Sequence, residues 1–168
     1  MRPSPDRRLA ILAEGQFSFH HGKTAVGVIR YGREPVAAVI DSTQAGRTVR
    51  DVLGLPRDFP IVASLEEALA HRPTALLIGI APTGGKLPAA WRSVVLQAID
   101  AGLDIRSGLH TFLGDDPEFA AAARARGVSI VDYRRPPERM ETAVGRPHAP
   151  GKRVILTVPP DGLGGSPA

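Results

Sequence analysis

No cysteine occurs among the 168 residues, which excludes disulfides, thiolate metal sites and cysteine nucleophiles. Aromatic residues make up only 5% of the chain, with a single tryptophan, so there is no platform on which nucleic-acid bases could stack. No run approaches the roughly 18 apolar residues that a membrane-crossing helix needs. The opening Met1-Arg-Pro-Ser-Pro-Asp-Arg-Arg8 is charged and broken by proline, and the apolar stretch after it, Leu9 to Ala13, is too short for a secretory signal. A cytoplasmic location is expected. The histidines His20, His21, His71, His110 and His148 form no metal-ligand spacing, and no metal is expected.

Charge is plentiful but dispersed. The formal balance is +4, which in a concentrated patch would suggest a polyanion as partner. Arg30, Arg47, Arg57, Arg92 and Arg106 are instead scattered along the chain, while Arg134 and Arg135 sit together in a loop-like stretch. This spacing reads as a solvated surface, with neither nucleic acid nor membrane as a partner.

Short apolar runs rich in β-branched residues recur at Leu9–Ala13, Val36–Ile40, Ile61–Ala63, Ala75–Ala81, Val128–Asp132 and Arg153–Val158, with a further strand at Asp104–Arg106. Unbroken apolar runs of this length, without apolar–polar alternation, fit strands buried on both faces. Helical patterns lie between them. In Pro88–Ala101 the residues Trp91, Val94, Val95, Ala98 and Ile99 repeat at helical spacing, and Gly102 ends the pattern. Ser64-Leu-Glu-Glu67 reads as a capping box opening Leu65–His71. Asp115-Asp116-Pro117 opens a helix running to Arg126, and weaker helices are expected over Lys23–Tyr31 and Ala45–Gly54. Strand–helix alternation of this kind predicts an α/β, Rossmann-like open sheet, mainly parallel, with helices on both faces.

Domain organisation follows from texture. Residues 1–133 are expected to form the α/β domain and 134–151, rich in proline and glycine, a linker. Residues 152–158 read as the first strand of a further, truncated domain, and 159–168 as a tail expected to be disordered.

Ligands of open parallel sheets bind at the carboxyl ends of the strands, near the point where strand order reverses. That rule nominates four loops. The loop at 14–24 contains Gly15 and ends in Gly22-Lys23-Thr24; it lacks the spacing of a phosphate loop but leads to a helix start that attracts anions. Asp41-Ser42-Thr43 follows the second strand, where an acidic residue either holds a ribose hydroxyl or forms an Asx turn. The loop at 79–86 carries Pro82, Gly84, Gly85 and Lys86, allowing close backbone approach to a ligand beside a positive charge. Ser107-Gly108-Leu-His110-Thr111 gathers two hydroxyls, a glycine and an imidazole, with His110 the one candidate acid or base.

Several strings together resemble one bacterial and archaeal family of unknown function: Gly22-Lys-Thr-Ala25, Val39-Ile-Asp-Ser-Thr43, Pro60-Ile-Val-Ala-Ser-Leu-Glu-Glu-Ala68, Leu77-Ile-Gly-Ile-Ala-Pro82 and Ser107-Gly-Leu-His-Thr-Phe-Leu113. The family pairs an N-terminal Rossmann-like domain with a C-terminal P-loop domain. Some members are named D-glutamate N-acetyltransferase, and others are labelled NAD-dependent epimerase/dehydratase. The resemblance, covering roughly residues 8–158, implies a module binding a small molecule: acetyl-CoA, CoA or an adenine nucleotide. It also implies homo-oligomers in full-length relatives and a place in amino-acid catabolism. The sequence after Pro159 departs from the family, since Gly162-Leu-Gly-Gly165 lacks the lysine of a phosphate loop. The expectation is an N-terminal fragment, inactive alone, whose tail arises by truncation or frameshift; 18 arginines against three lysines fit the GC-rich coding that such a frameshift needs. Two alternatives remain open: a non-catalytic assembly or dimerisation domain, and a small nucleotide-dependent enzyme using His110.

Overall fold

The computed structural model describes residues 7–80, 82–137 and 151. The chain divides into two units, Met1–Arg135 and Pro136–Ala168. In the second, the described residues are Pro136, Pro137 and Gly151, the last in a turn with φ +82°. The expected strand at 152–158, the tail at 159–168 and most of the expected linker at 134–151 lie outside the described residues.

The first unit alternates strands and helices: β1 (Leu9–Leu12), α1 (Lys23–Tyr31), β2 (Val36–Ile40), α2 (Val49–Leu53), β3 (Ile61–Val62), α3 (Leu65–Leu69), β4 (Ala75–Ile78), α4 (Arg92–Asp100), β5 (Asp104–Ser107), α5 (Pro117–Arg126) and β6 (Ile130–Asp132). The strands form one sheet in the order β3-β2-β1-β4-β5-β6, and every neighbouring pair is parallel. This is the Rossmann strand order. The chain steps outward from β1 to β3, returns past β1, then steps outward in the opposite direction. Right-handed crossovers therefore place the helices of the two halves on opposite faces.

All residues of β1, β2 and β4 are buried, as their unbroken apolar runs required. Arg106 does not fit the reading of the arginines as surface charges. It lies in β5 at 1% exposure, with its Nη2 3.6 Å from Asp104 Oδ2. A guanidinium pulled from water in this way is tolerable only with a carboxylate close by.

α1 and α5 run as the sequence suggests, whereas α2, α3 and α4 are shorter than their patterns, and tight turns flank several helices. A 3-10 turn at Ser42–Gln44 precedes α2, another at Ala89–Trp91 leads into α4, and a third at Leu113–Asp115 leads into α5. Ser64 Oγ accepts from the Glu67 amide at 3.2 Å, while Glu67 reaches back to the Ala63 amide at 2.9 Å, one residue before the cap. A complete capping box instead opens α2, formed by Thr48 and Asp51, and the Thr48 backbone amide holds the Asp51 carboxyl below its ordinary value. Asp116 caps α5, accepting from the Glu118 and Phe119 amides at 3.0 and 3.2 Å.

Strand register fixes the level at which the loops emerge. Leu12 is aligned with both Ile40 and Ile78, so Ala13, Asp41 and Gly79 leave the sheet side by side. Gly79 also sets how closely α1 can approach. A Cβ there would lie 2.4 Å from Ile11 Cγ2 and 3.1 Å from Ala25 Cβ, and the Gly79 carbonyl accepts from the Ala25 amide at 2.8 Å. Gly79→Val should therefore lift α1 off the sheet and cost about 2 kcal/mol of stability, measured by urea unfolding.

Candidate functional site

The carboxyl ends of the strands form two pairs of loops. The first pair follows β1 and β2 and is organised by Asp41, a carboxylate at 0% exposure. Its Oδ1 accepts from the Gly15 amide at 3.1 Å, the Thr43 amide at 3.0 Å and the Thr43 hydroxyl at 2.6 Å. Its Oδ2 accepts from the Phe17 amide at 3.0 Å. Burying an ionised carboxylate is costly, and these donors offset the cost from within the chain. The same bonds draw the loop inward until Phe17 is buried at 3% exposure. Glu14, absent from the sequence-based candidates, adds a second clasp by accepting from the Ser42 amide at 2.8 Å and from the Ser42 hydroxyl.

The other residues of this pair are placed accordingly. Gly15 is exposed with φ +66°. Gly22 is buried at the start of α1, where a Cβ would lie 2.9 Å from the Ser18 carbonyl oxygen. Lys23 is exposed and Thr24 half-buried on the first turn of α1, which has no side-chain cap. Ser42 and Thr43 are exposed, although their polar groups are engaged by Glu14 and Asp41.

The second pair follows β4 and β5 and meets at Gly85 and His110. The Gly85 carbonyl accepts from the His110 amide at 2.9 Å and the Thr111 amide at 3.2 Å. A Cβ on Gly85 would fall 2.2 Å from the His110 ring, and φ is +63°, so the contact requires glycine. Pro82 is half-buried and accepts from the Gly85 amide at 2.9 Å. Gly84 (φ +78°), Lys86, His110 and Thr111 are exposed. Ser107 is buried and its Oγ accepts from the Leu109 amide at 3.2 Å, so it shapes the turn. Gly108 is half-buried, and its carbonyl accepts from Arg134 Nε at 2.8 Å. The His110 ring has no hydrogen-bond partner among the described residues, and neither does the Lys86 ammonium.

A second buried carboxylate supports this pair. Asp132, at the end of β6 with its side chain 3% exposed, accepts from the Leu113 and Gly114 amides, each at 2.9 Å. It repeats at the far side of the sheet what Asp41 does after β2, and the sequence hint was the same: an aspartate closing an apolar run. Next to it, Arg92 makes a bidentate pair with Asp116 (2.6 and 2.8 Å) and stands over the Phe119 ring at 4.3 Å. Hydrogen bonding to Arg92 holds the Asp116 carboxyl at about 2, against an ordinary 3.8. Among the described residues no group of three or more metal-ligating side chains converges, and no helix is long and apolar enough to cross a membrane.

An all-parallel sheet in Rossmann order, with exposed polar groups clustered beyond the carboxyl ends of β4 and β5, defines a Rossmann-like domain. The chain belongs to the Rossmann-like domain of unknown function DUF1611_N, which matches residues 42–136. It is similar to a D-glutamate N-acetyltransferase of Tritonibacter scottomollicae, 43% identical over 92 residues, or 55% of this chain and 27% of that protein. A D-glutamate N-acetyltransferase of a Pseudoalteromonas species is 32% identical over 98 residues, 58% of this chain and 29% of that one. The chain thus spans less than a third of the length of the curated relatives it matches. The crystal structure of a DUF1611 family protein from Anabaena variabilis is similar with a TM-score of 0.76 and 38% identity, over 83% of this chain and 40% of that chain.

Two substitutions check these carboxylates. Asp41→Ala leaves the loop amides of Gly15 and Phe17 without their acceptor; the expected cost is about 3 kcal/mol in denaturant unfolding, with faster hydrogen exchange at both amides. Asp116 has a folded pKa below its unfolded one, so its contribution to stability is complete above pH 3.8 and fades as pH falls through about 2. Arg92→Met should raise the Asp116 pKa towards 3.8, visible in a carboxyl NMR titration.

Proposed function

We propose that this domain is the nucleotide- or coenzyme A-binding module of a D-glutamate N-acetyltransferase-like protein of bacterial amino-acid catabolism, acting in the cytoplasm and inactive alone. The ligand is taken beyond β4 and β5. The observation that carries this reading is the contrast between the two loop pairs. After β1 and β2, the Asp41 oxygens that would hold a ribose are occupied by Gly15, Phe17 and Thr43. The Ala25 amide at the start of α1 is likewise engaged by Gly79. Beyond β4 and β5, by contrast, Gly84, Lys86, His110 and Thr111 are exposed around a glycine–histidine contact. Such a cluster suits a phosphate-bearing ligand: glycine lets the backbone come close, and lysine supplies the charge. The activity for which the relatives are named, transfer of an acetyl group, favours a thioester carrier over a redox dinucleotide.

Calorimetry of the chain with CoA, acetyl-CoA, ATP and NAD tests the proposal. CoA and acetyl-CoA should bind, with NAD weaker than either. Binding by none of the four would overturn the reading in favour of an assembly module, and preference for NAD would overturn its choice of ligand.

A further inference from the structure

Beside the Gly85–His110 contact lies a groove of about 390 Å³, within the range of small-molecule sites. The exposed Lys86 and Thr111 form its rim, Leu87 and Phe112 its half-buried walls, and the buried Leu113 and Phe119 its floor. Two further charges, Arg92 and Asp116, also line it but are committed to each other in the bidentate pair. The groove therefore offers an ammonium and a hydroxyl above an apolar trough.

Which ligand this suits is decided by the aromatic rings. A purine would need an open ring face for stacking. Phe119 is 1% exposed beneath the Arg92 guanidinium, and Phe112 carries the Arg135 guanidinium at 4.4 Å. The protein's own cations already use these faces. A narrow, flexible chain has no such requirement: its methylene groups lie on Leu87, Pro88 and Ala89, which line the groove and keep accessible surface, an amide meets the Thr111 hydroxyl, and a terminal phosphate meets Lys86.

We propose that this groove binds the phosphorylated amide arm of coenzyme A, the phosphopantetheine unit, and leaves the adenine outside it. The inference rests on the functional reading above and selects the part of the ligand that the groove holds. It also gives Lys86 and Thr111 separate roles, one for phosphate and one for amide.

Amide NMR titrations of the chain with phosphopantetheine, pantetheine, adenosine bisphosphate and intact CoA provide the test. Phosphopantetheine and pantetheine should shift the amides of Lys86, Leu87, Ala89 and residues 111–113. Lys86→Ala should weaken phosphopantetheine about tenfold while leaving pantetheine unchanged, and Thr111→Val should weaken both. Both residues are exposed, so neither variant threatens the fold. Adenosine bisphosphate shifting the groove would overturn the inference. So would CoA binding with shifts confined to the loops after β1 and β2, although a CoA-binding function would then survive. Silence from all four compounds would end both proposals.

Discussion

Asp41 leaves the end of β2 as a fully buried carboxylate, and the surrounding loops are arranged around the cost of placing it there. Four hydrogen bonds from Gly15, Phe17 and Thr43 offset the lost hydration. In supplying them, the loop after β1 folds back across the sheet, buries Phe17 and brings Glu14 onto Ser42. The chain can then enter α1 only where Gly22 allows close contact with Ser18, and α1 settles against Gly79. One desolvated charge thus links three strand ends and the first helix.

The far half of the sheet uses the same device with a different result. Asp132 holds the Leu113 and Gly114 amides and so positions the turn before α5, but it leaves Lys86, His110 and Thr111 facing solvent. The segment leaving β6 adds to this support, since Arg134 bonds to the Gly108 carbonyl and Arg135 pairs with Asp115 at 2.5 Å. Both halves are built on buried aspartates, and among the described residues the second places the exposed Lys86 and Thr111 beside a groove. Under the proposed reading, that asymmetry sets the ligand away from the place where dinucleotides lie in other Rossmann domains.

Much of the fold was legible in the sequence because a strand buried on both faces has to be apolar throughout. β1, β2 and β4 show this directly, and the helices between them then force parallel pairing. Helix ends were less legible: Ala89–Trp91 satisfies a helical pattern while forming a 3-10 turn, because a single turn shows similar spacing. Arg106 was misread as a surface charge, since burial of a strand arginine depends on the neighbouring strands and not on its own segment. The four loops were found from topology alone, and the Gly85–His110 contact brought two of them together. The division of labour between the pairs was not legible. It depends on hydrogen bonds that Asp41 accepts from amides 24 and 26 positions earlier in the chain.

The central claim is that the loops after β1 and β2 serve structure and those after β4 and β5 take the ligand. Hydrogen–deuterium exchange of the chain with and without saturating CoA tests it most directly. The expected result is slowed exchange at residues 84–86 and 108–113, with residues 14–24 and 41–43 unchanged. Protection at 14–24 and 41–43, with the β4 and β5 loops unaffected, would contradict it.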